Sequence, residues 1–322
     1  MRRGAAAVSA LIWLIAGCAG RAPVLSETQF RPDAAASIDL SGVPFFPQEA
    51  YQCGPAALAT ALSYSGLEVT PQQLAPRVYL PAKAGSLQVE MVAAARRYDR
   101  IPYVIPAALP ALLAELESGR PVVVFQNLGL ADLPVWHFAV VVGYSRPEDA
   151  LLLRSGRHER ETMSAYNFVR TWEGGQRWGL VILRPGELPA ADDPDGYLRA
   201  VAAKESVSGP ATLLEAYRAA ALRWPDNLVA RFGYAHALQA LGELPAAVEQ
   251  YRALLAQHPD QIAALNNLAD ALSRQGCRSE ALSTVDRGLA AAREPLRPVL
   301  EQTRQEILAA PADRSEPAVC AQ

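Results

Sequence analysis

The chain has 322 residues, of which 51% are hydrophobic and 20% charged, so its composition is that of a globular protein with room for two domains. The net charge of −3 provides no basic field, and we expect no nucleic-acid partner. No stretch reaches the roughly 18 apolar residues of a membrane-spanning helix. No cluster has metal-ligand spacing and no glycine-rich phosphate loop is present, so we expect no metal and no cofactor.

The N-terminus is typical of a targeting segment. Two arginines precede a short apolar run, and residues 14–18 (LIAGC) resemble the lipobox of bacterial lipoproteins. The resemblance implies removal of a signal peptide, residues 1–17, and attachment of lipid to the Cys18 thiol. The residue after Cys18 is Ala19 and not an aspartate, which by resemblance to lipoprotein sorting favours the outer membrane. We therefore expect a lipid-anchored protein of the bacterial cell envelope that faces the periplasm; an ordinary signal peptide with an incidental Cys18 is the alternative.

The next segment, residues 18–42, is expected to be a tether, and the first domain is expected to span residues 43–185. Apolar periodicity and helix-start signals predict helices at residues 55–65, 71–78, 86–99 and 110–118, with a short strand at 101–105. Short apolar runs bounded by turn residues then predict strands at residues 122–125, 138–144, 151–153 and 180–183. Helices followed by a meander of strands indicate an α+β domain.

An internal repeat follows a polar segment, residues 186–209, which is expected to be a linker. Residues recur at a spacing of 34: Tyr217 as Tyr251, Pro225 as Pro259, Asp226 as Asp260, Ala235 as Ala269, Leu238 as Leu272, Gly242 as Gly276 and Ala247 as Ala281. This period is typical of tetratricopeptide repeats, each of which is a helical hairpin. The second domain is therefore predicted to be an all-α tetratricopeptide-repeat domain at residues 210–294, followed by a cap and a disordered tail at residues 295–322. A generic array of helical hairpins is the alternative.

Three cysteines remain once Cys18 is assigned to the lipid anchor. In an oxidising compartment an odd number of thiols needs a reason. Cys277 and Cys320 either form a disulfide with each other, which leaves Cys53 free, or all three thiols are reduced. The sequence leaves both possibilities open.

Cys53 and His137 are the residues that indicate chemistry. Cys53 lies at the start of a predicted helix, where unpaired N–H groups favour a thiolate, and His137 heads an apolar strand from which an imidazolium would favour it further. Gly54 leaves the backbone open to a substrate. The N–H of Cys53 and the side-chain amide of Gln48 are candidate donors to an oxyanion. The alternative is a buried structural thiol and an unrelated core histidine.

These residues resemble the papain-like cysteine peptidase family of the bacteriocin-processing, double-glycine leader type. The match consists of Gln48, the segment from Cys53 (CGPA), and His137 followed by FAVVVGY. The resemblance implies a papain-like fold in which Cys53 is the nucleophile, His137 the general base and Gln48 part of the oxyanion hole. The family also has an aspartate after the next strand that orients the histidine. Here Ser155 stands at that position, and Asp149 falls in the preceding turn.

Three hypotheses follow for the function. The first is a lipid-anchored cysteine peptidase that hydrolyses a peptide bond, with the repeats recruiting a protein substrate or partner. The second is a catalytically silent, peptidase-like binding module, which the serine at position 155 favours. The third is acyl transfer to an amine in place of water, for which the same residues would serve.

Overall fold

The computed structural model describes residues 22–48, 52–310 and 320. Its strands are β1 (Ser37–Asp39), β2 (Tyr79–Leu80), β3 (Gly85–Ser86), β4 (Ile101–Val104), β5 (Val122–Asn127), β6 (Trp136–Ser145), β7 (Ala150–Ser155), β8 (His158–Ser164) and β9 (Gly179–Leu183). The helices of the first domain are α1 (Cys53–Tyr64), α2 (Pro71–Val78), α3 (Gln88–Ala95), α4 (Leu109–Glu117) and α5 (Ala165–Gly174). The helices that follow are α6 (Pro194–Ala202), α7 (Pro210–Arg223), α8 (Leu228–Ala240), α9 (Leu244–Gln257), α10 (Ile262–Gln275), α11 (Arg278–Ala291) and α12 (Arg297–Ala309).

The first domain is built on an antiparallel sheet in which the described strands have the order β4-β9-β5-β6-β7-β8, with β1 also paired to β6. Because side chains alternate between the two faces of a strand, each face of this sheet contributes to a separate core. Helices α1, α2 and α3 cover one face. Helices α4, α5 and α6 cover the other. The expected α+β architecture is confirmed, although the sequence analysis predicted neither α5 nor β8.

Helix α1 is the innermost helix of its face. Every residue from Gly54 to Leu62 is buried, because the stretch is made almost entirely of alanine and leucine and has no polar side. Pro55 lies in the first turn, where its missing N–H removes no helical hydrogen bond. The helix ends just before Gly66, whose φ of +94° is the left-handed conformation that glycine adopts without steric cost.

The segment predicted as a tether is docked on the first domain wherever it is described, at residues 22–42. Leu25 is 3% exposed, and β1 extends the sheet. The carboxylate of Asp149 accepts the N–H of Val24 at 3.2 Å and that of Leu25 at 2.8 Å. The tether prediction is therefore corrected for these residues. A three-residue strand has too little alternation to be recognised from its pattern alone.

The segment predicted as a linker, residues 186–209, is likewise a packed connection. It contains α6, and its Lys204 is fully buried. The ammonium group of Lys204 donates to the backbone oxygens of Arg96 and Tyr98, at 3.0 and 2.8 Å, where the carbonyl end of α3 offsets the cost of burying the charge. Tyr217 of α7 lies in the same core as the sheet, so the second domain packs directly on the first.

The second domain consists of paired helices, as the repeat predicted. The recurring small and apolar residues are buried between the helices: Ala235, Ala247, Ala269, Ala281, Leu238 and Leu272. The recurring glycines Gly242 and Gly276 have φ of +82° and +89°, and each ends the first helix of its pair. A side chain at either position would be strained, which explains why glycine is repeated there.

Helix α12 closes the repeat domain as the predicted cap, with Leu300 and Ile307 buried against it. Cys277 and Cys320 are joined by a disulfide, which decides between the two possibilities that the sequence left open. The signal peptide, Cys18 and residues 311–319 lie outside the described residues. None of the helices described is both long and apolar enough to cross a membrane.

Candidate active site

Cys53 is the first residue of α1, and its thiol is free and half-buried. No side chain caps this helix start, so its first N–H groups remain available to the sulfur. Burial raises the pKa of the Cys53 thiol above its ordinary value, while hydrogen bonds from the backbone N–H groups of Phe138, Gly54 and Cys53 itself act in the opposite direction. Since desolvation is the largest effect, the resting thiol is protonated at neutral pH.

His137 is the second residue of β6 and is also half-buried. Its Nε2 lies 3.1 Å from Oγ of Ser155, the last residue of β7. The ring makes no other hydrogen bond to a described residue, which leaves Nδ1 without a hydrogen-bond partner there. Burial lowers the pKa of His137, and the negative charge of Glu161 acts in the opposite direction. A neutral imidazole that is able to accept a proton is therefore the resting form.

Gln48 lines the same site and is held there by a hydrogen bond to the backbone of Phe138. Its backbone N–H donates to the oxygen of Gly156 at 3.0 Å, which fixes the approach of the chain. Its side-chain Nε2 donates to the carbonyl oxygen of Phe138 at 3.4 Å. An amide nitrogen carries two hydrogens, so one of them remains available to a ligand. The structure thus brings together all four residues that the sequence singled out: Gln48, Cys53, His137 and Ser155.

A cleft of about 790 Å³ connects these groups and opens to solvent. Its walls are formed by residues 83–88 beside the β2–β3 hairpin, by residues 134–138 at the start of β6 and by residues 174–176 at the end of α5. The rings of Phe125 and Trp136 stack on one wall with their centroids 5.1 Å apart. The site is therefore an open, partly apolar groove.

The apolar wall continues into an exposed loop between β5 and β6. Leu130 and Leu133 on this loop are 67% and 72% exposed, although both are large apolar side chains. Asn127 holds the loop in shape: its Oδ1 accepts the N–H of Gly129 at 3.0 Å and that of Val135 at 2.9 Å. A rigid apolar rim beside the cleft is typical of a surface that receives a macromolecule.

Gly54 has a different role from the one predicted. A β-carbon at this position would overlap the side chain of Ser86 and would lie 2.5 Å from its Cβ. Gly54 therefore leaves room for the β2–β3 hairpin to pack on the start of α1, and it does not expose the backbone to a substrate. No local pattern indicates this contact, because Ser86 is distant along the chain and lies in a two-residue strand.

Two further polar residues near His137 were not predicted. Gln126 pairs with His137 across β5 and β6 and is 1% exposed; its Nε2 donates to Thr171 Oγ1 at 2.7 Å, and its Oε1 has no partner among the described residues. Glu161 on β8 influences the pKa of His137. Asp149, the other acidic residue considered, holds the N-terminal segment at the opposite end of β6 and takes no part in the site.

Among the described residues, no group of three or more His, Cys, Asp and Glu side chains is placed to hold a metal ion. The site therefore consists of a thiol, an imidazole, a hydroxyl and an amide. This set, on a helix start and the neighbouring strands of an antiparallel sheet, has the layout of the papain-like class of cysteine peptidases.

Comparison with known proteins agrees with this class. Residues 40–176 match the model of the Peptidase_C39 like family, and residues 228–271 match that of the tetratricopeptide repeat. The first domain is therefore similar to the C39-like peptidases and the second to tetratricopeptide repeats, in agreement with the resemblance found in the sequence. A comparison with curated proteins found no match.

Three solved structures are similar to the chain. One, described as a C39-like peptidase from Bacillus anthracis, is 16% identical, with a TM-score of 0.40 over 47% of this chain and 98% of its own. The second, a double glycine motif protease from an AMS/PCAT transporter in complex with its leader peptide, is 20% identical, with a TM-score of 0.34 over 44% of this chain and 91% of its own. The third, the peptidase domain of Streptococcus ComA, is 19% identical, with a TM-score of 0.36 over 44% of this chain and 98% of its own.

Proposed function

We propose that the protein is a cysteine peptidase in which Cys53 is the nucleophile and His137 the general base. The observation that supports this most strongly is that both residues line one open cleft, with the His137 ring held through Nε2 by Ser155. Nδ1 is thereby left for the thiol. Gln48 and the N–H of Cys53 are the proposed donors to the oxyanion.

The proposed reaction begins with the neutral imidazole. His137 removes the proton from Sγ of Cys53 as the sulfur attacks the carbonyl carbon of the scissile bond. The oxyanion that forms accepts hydrogen bonds from the Cys53 N–H and the free Nε2–H of Gln48, and one such donor is typically worth about 3–4 kcal/mol in the transition state. The C–N bond then breaks as His137 returns the proton to the leaving amine. Water, deprotonated by His137, cleaves the remaining thioester and releases the thiol.

The substrate class that we propose is a peptide or protein. The apolar rim around Leu130 and Leu133 and the open ends of the cleft suit a long chain better than a small molecule. The repeat domain is proposed to recruit that substrate or a protein partner, since stacked helical hairpins present an extended surface to other proteins. Because α7 packs in the core of the first domain, a recruited chain would meet the cleft in a fixed geometry.

A silent binding module is the second candidate, and one observation favours it. Ser155 has no charge with which to stabilise an imidazolium, and burial favours the neutral forms of both Cys53 and His137. The two candidates differ in one respect that is measurable, which is whether the Cys53 thiol reacts faster than an isolated thiol.

A peptidyl vinyl sulfone is a suitable probe, because the sulfur adds to its double bond and the proton ends on the neighbouring carbon. We expect the full chain in detergent to acquire one adduct at Cys53, at a rate well above that of free cysteine and dependent on the peptide sequence. Cys53→Ser is expected to remain unlabelled. Labelling no faster than free cysteine, whatever the peptide, would leave the binding module as the function.

We also propose that the protein is anchored to the bacterial cell envelope by lipid on Cys18, and that it faces the periplasm from the outer membrane. The lipobox resemblance at residues 14–18 supports this. Metabolic labelling with a radioactive fatty acid is expected to mark the wild type, which sediments with membranes. Cys18→Ser is expected to lose the label, and an equally labelled variant would contradict the assignment.

A further inference from the structure

We propose that Glu161 supplies, through the Ser155 hydroxyl, the negative charge that positions and stabilises His137. This inference rests on the proposed function and deepens it. The proposed site has a neutral residue where a carboxylate would be expected to orient the base, and Glu161 belongs to the neighbouring strand β8. Glu161 is a positioning residue in this scheme, because it acts on the ring through Ser155.

The register of β7 and β8 brings the two side chains together. Glu161 lies directly opposite Leu153, and Ser155 lies two residues beyond Leu153 on the same strand. The next pair is Ser155 with His158. Two steps along β7 are therefore matched by three steps along β8, which places a bulge on β8 and leaves β7 regular. Ser155 and Glu161 therefore share one face as diagonal neighbours, a separation that a glutamate side chain spans.

The hydrogen-bond directions are consistent with such a relay. Nε2–H of His137 donates to Oγ of Ser155 when Nδ1 is the atom that accepts the thiol proton. The hydroxyl hydrogen of Ser155 then needs an acceptor, and no described residue provides one in the resting geometry. The carboxylate of Glu161 is half-buried and has no ion pair or hydrogen bond with any described residue, so it is available for this role.

The cations near Glu161 are engaged elsewhere. Arg154 donates to the backbone oxygens of Val43 and Glu159, and Arg160 pairs with Asp39. Neither arginine therefore forms an ion pair with Glu161. The charge of Glu161 acts to raise the pKa of His137, against the larger lowering effect of burial.

The other groups that titrate around the ring have different positions. Cys53 approaches from α1, Lys83 lines the cleft beside the β2–β3 hairpin, and His158 is exposed at the start of β8. Phe125 of β5 and residues 174–176 line the cleft with neutral groups, and Glu173 near the end of α5 is paired with Arg177. Glu161 is thus the anion on this side of the ring within the part of the chain that the structure describes.

The test compares Glu161→Gln, which removes the charge and keeps the shape, with Glu159→Gln, which removes the same charge from an exposed position on the same strand. In the full chain, NMR titration of the His137 Cε1–H is expected to show a pKa lower by about one unit in Glu161→Gln, the usual effect of losing a nearby opposite charge. Glu159→Gln is expected to titrate as wild type, and Glu161→Asp to retain most of the wild-type value.

A second prediction tests whether the effect of Glu161 on His137 passes through Ser155. Ser155→Ala is expected to lower the pKa of His137, and adding Glu161→Gln to it is expected to lower the pKa by much less than Glu161→Gln does alone. Equal titration of Glu161→Gln and Glu159→Gln would overturn the inference. Because this titration requires no catalysis, it is decided separately from the peptidase assignment, which fails if Cys53 has only the reactivity of a free thiol.

Discussion

Replacing His137 with alanine is expected to slow the alkylation of Cys53 by iodoacetamide at pH 7 by about 100-fold to 10,000-fold, the usual contribution of a general base. Burial raises the pKa of the thiol, so without the imidazole Cys53 would react appreciably only in alkaline solution. In the proposed mechanism, the neutral His137 accepts the proton as the sulfur attacks. The measurement is the second-order rate constant from pH 4 to 9, followed by the mass of the peptide that contains Cys53.

The direction of the pH dependence follows from the burial of the ring. Burial lowers the pKa of His137, so the base stays deprotonated as the pH falls through about 6.5, the ordinary value for histidine. The wild-type rate is therefore expected to persist below pH 7 and to fall only as the imidazole is protonated at lower pH. His158→Ala, at an exposed position on β8, is the matched control and should follow the wild-type curve. A single rise at alkaline pH, the same with and without His137, would contradict the assigned base.

Cys53 and His137 were predicted from their immediate neighbours, and Gln48 and Ser155 from their positions in the family resemblance. Cys53 precedes Gly54 and Pro55 at a helix start, and His137 precedes an apolar strand. Ser155 was recognised as the end of the next strand. Glu161 could not be recognised in the same way, because its distance from the ring depends on the irregular register between β7 and β8, which the pattern of one strand does not determine.

The errors in the domain boundaries have a common physical cause. Residues 22–42 and 186–209 are rich in polar residues, proline and glycine, and this composition indicates a linker when no partner surface is known. Their burial depends on long-range contacts, among them Asp149 with the N–H of Leu25 and Lys204 with the end of α3. Contacts between residues more than a hundred positions apart leave no local signal. The repeat domain was easier to predict because its contacts recur at a fixed spacing.

Replacing Cys320 with serine is expected to lower the free energy of unfolding of the repeat domain by up to about 4 kcal/mol, the chain-entropy value for a disulfide whose cysteines are 43 residues apart. Cys277 caps α11 and is 1% exposed, so the bond joins a buried point of the last repeat to the end of the chain. The measurement is urea unfolding followed by helical circular dichroism. Wild type in reducing agent is expected to unfold as Cys320→Ser does in air.

Two contacts limit the loss of stability on removal of the disulfide. Arg278 donates to the backbone oxygen of Leu308 at 2.7 Å and also to that of Ala310. Helix α12 should therefore remain folded when the disulfide is broken, and the effect is expected as lower stability with unchanged helix content. Cys53→Ser is the matched control: it removes a cysteine without removing the bond, and its repeat domain should unfold like the wild type. A Cys320→Ser protein as stable as the oxidised wild type would show that the unfolded chain is not constrained by the bond. Since a glutathione-reduced cytosol disfavours such a bond, a measured dependence of stability on the disulfide would support the proposed location in an oxidising compartment.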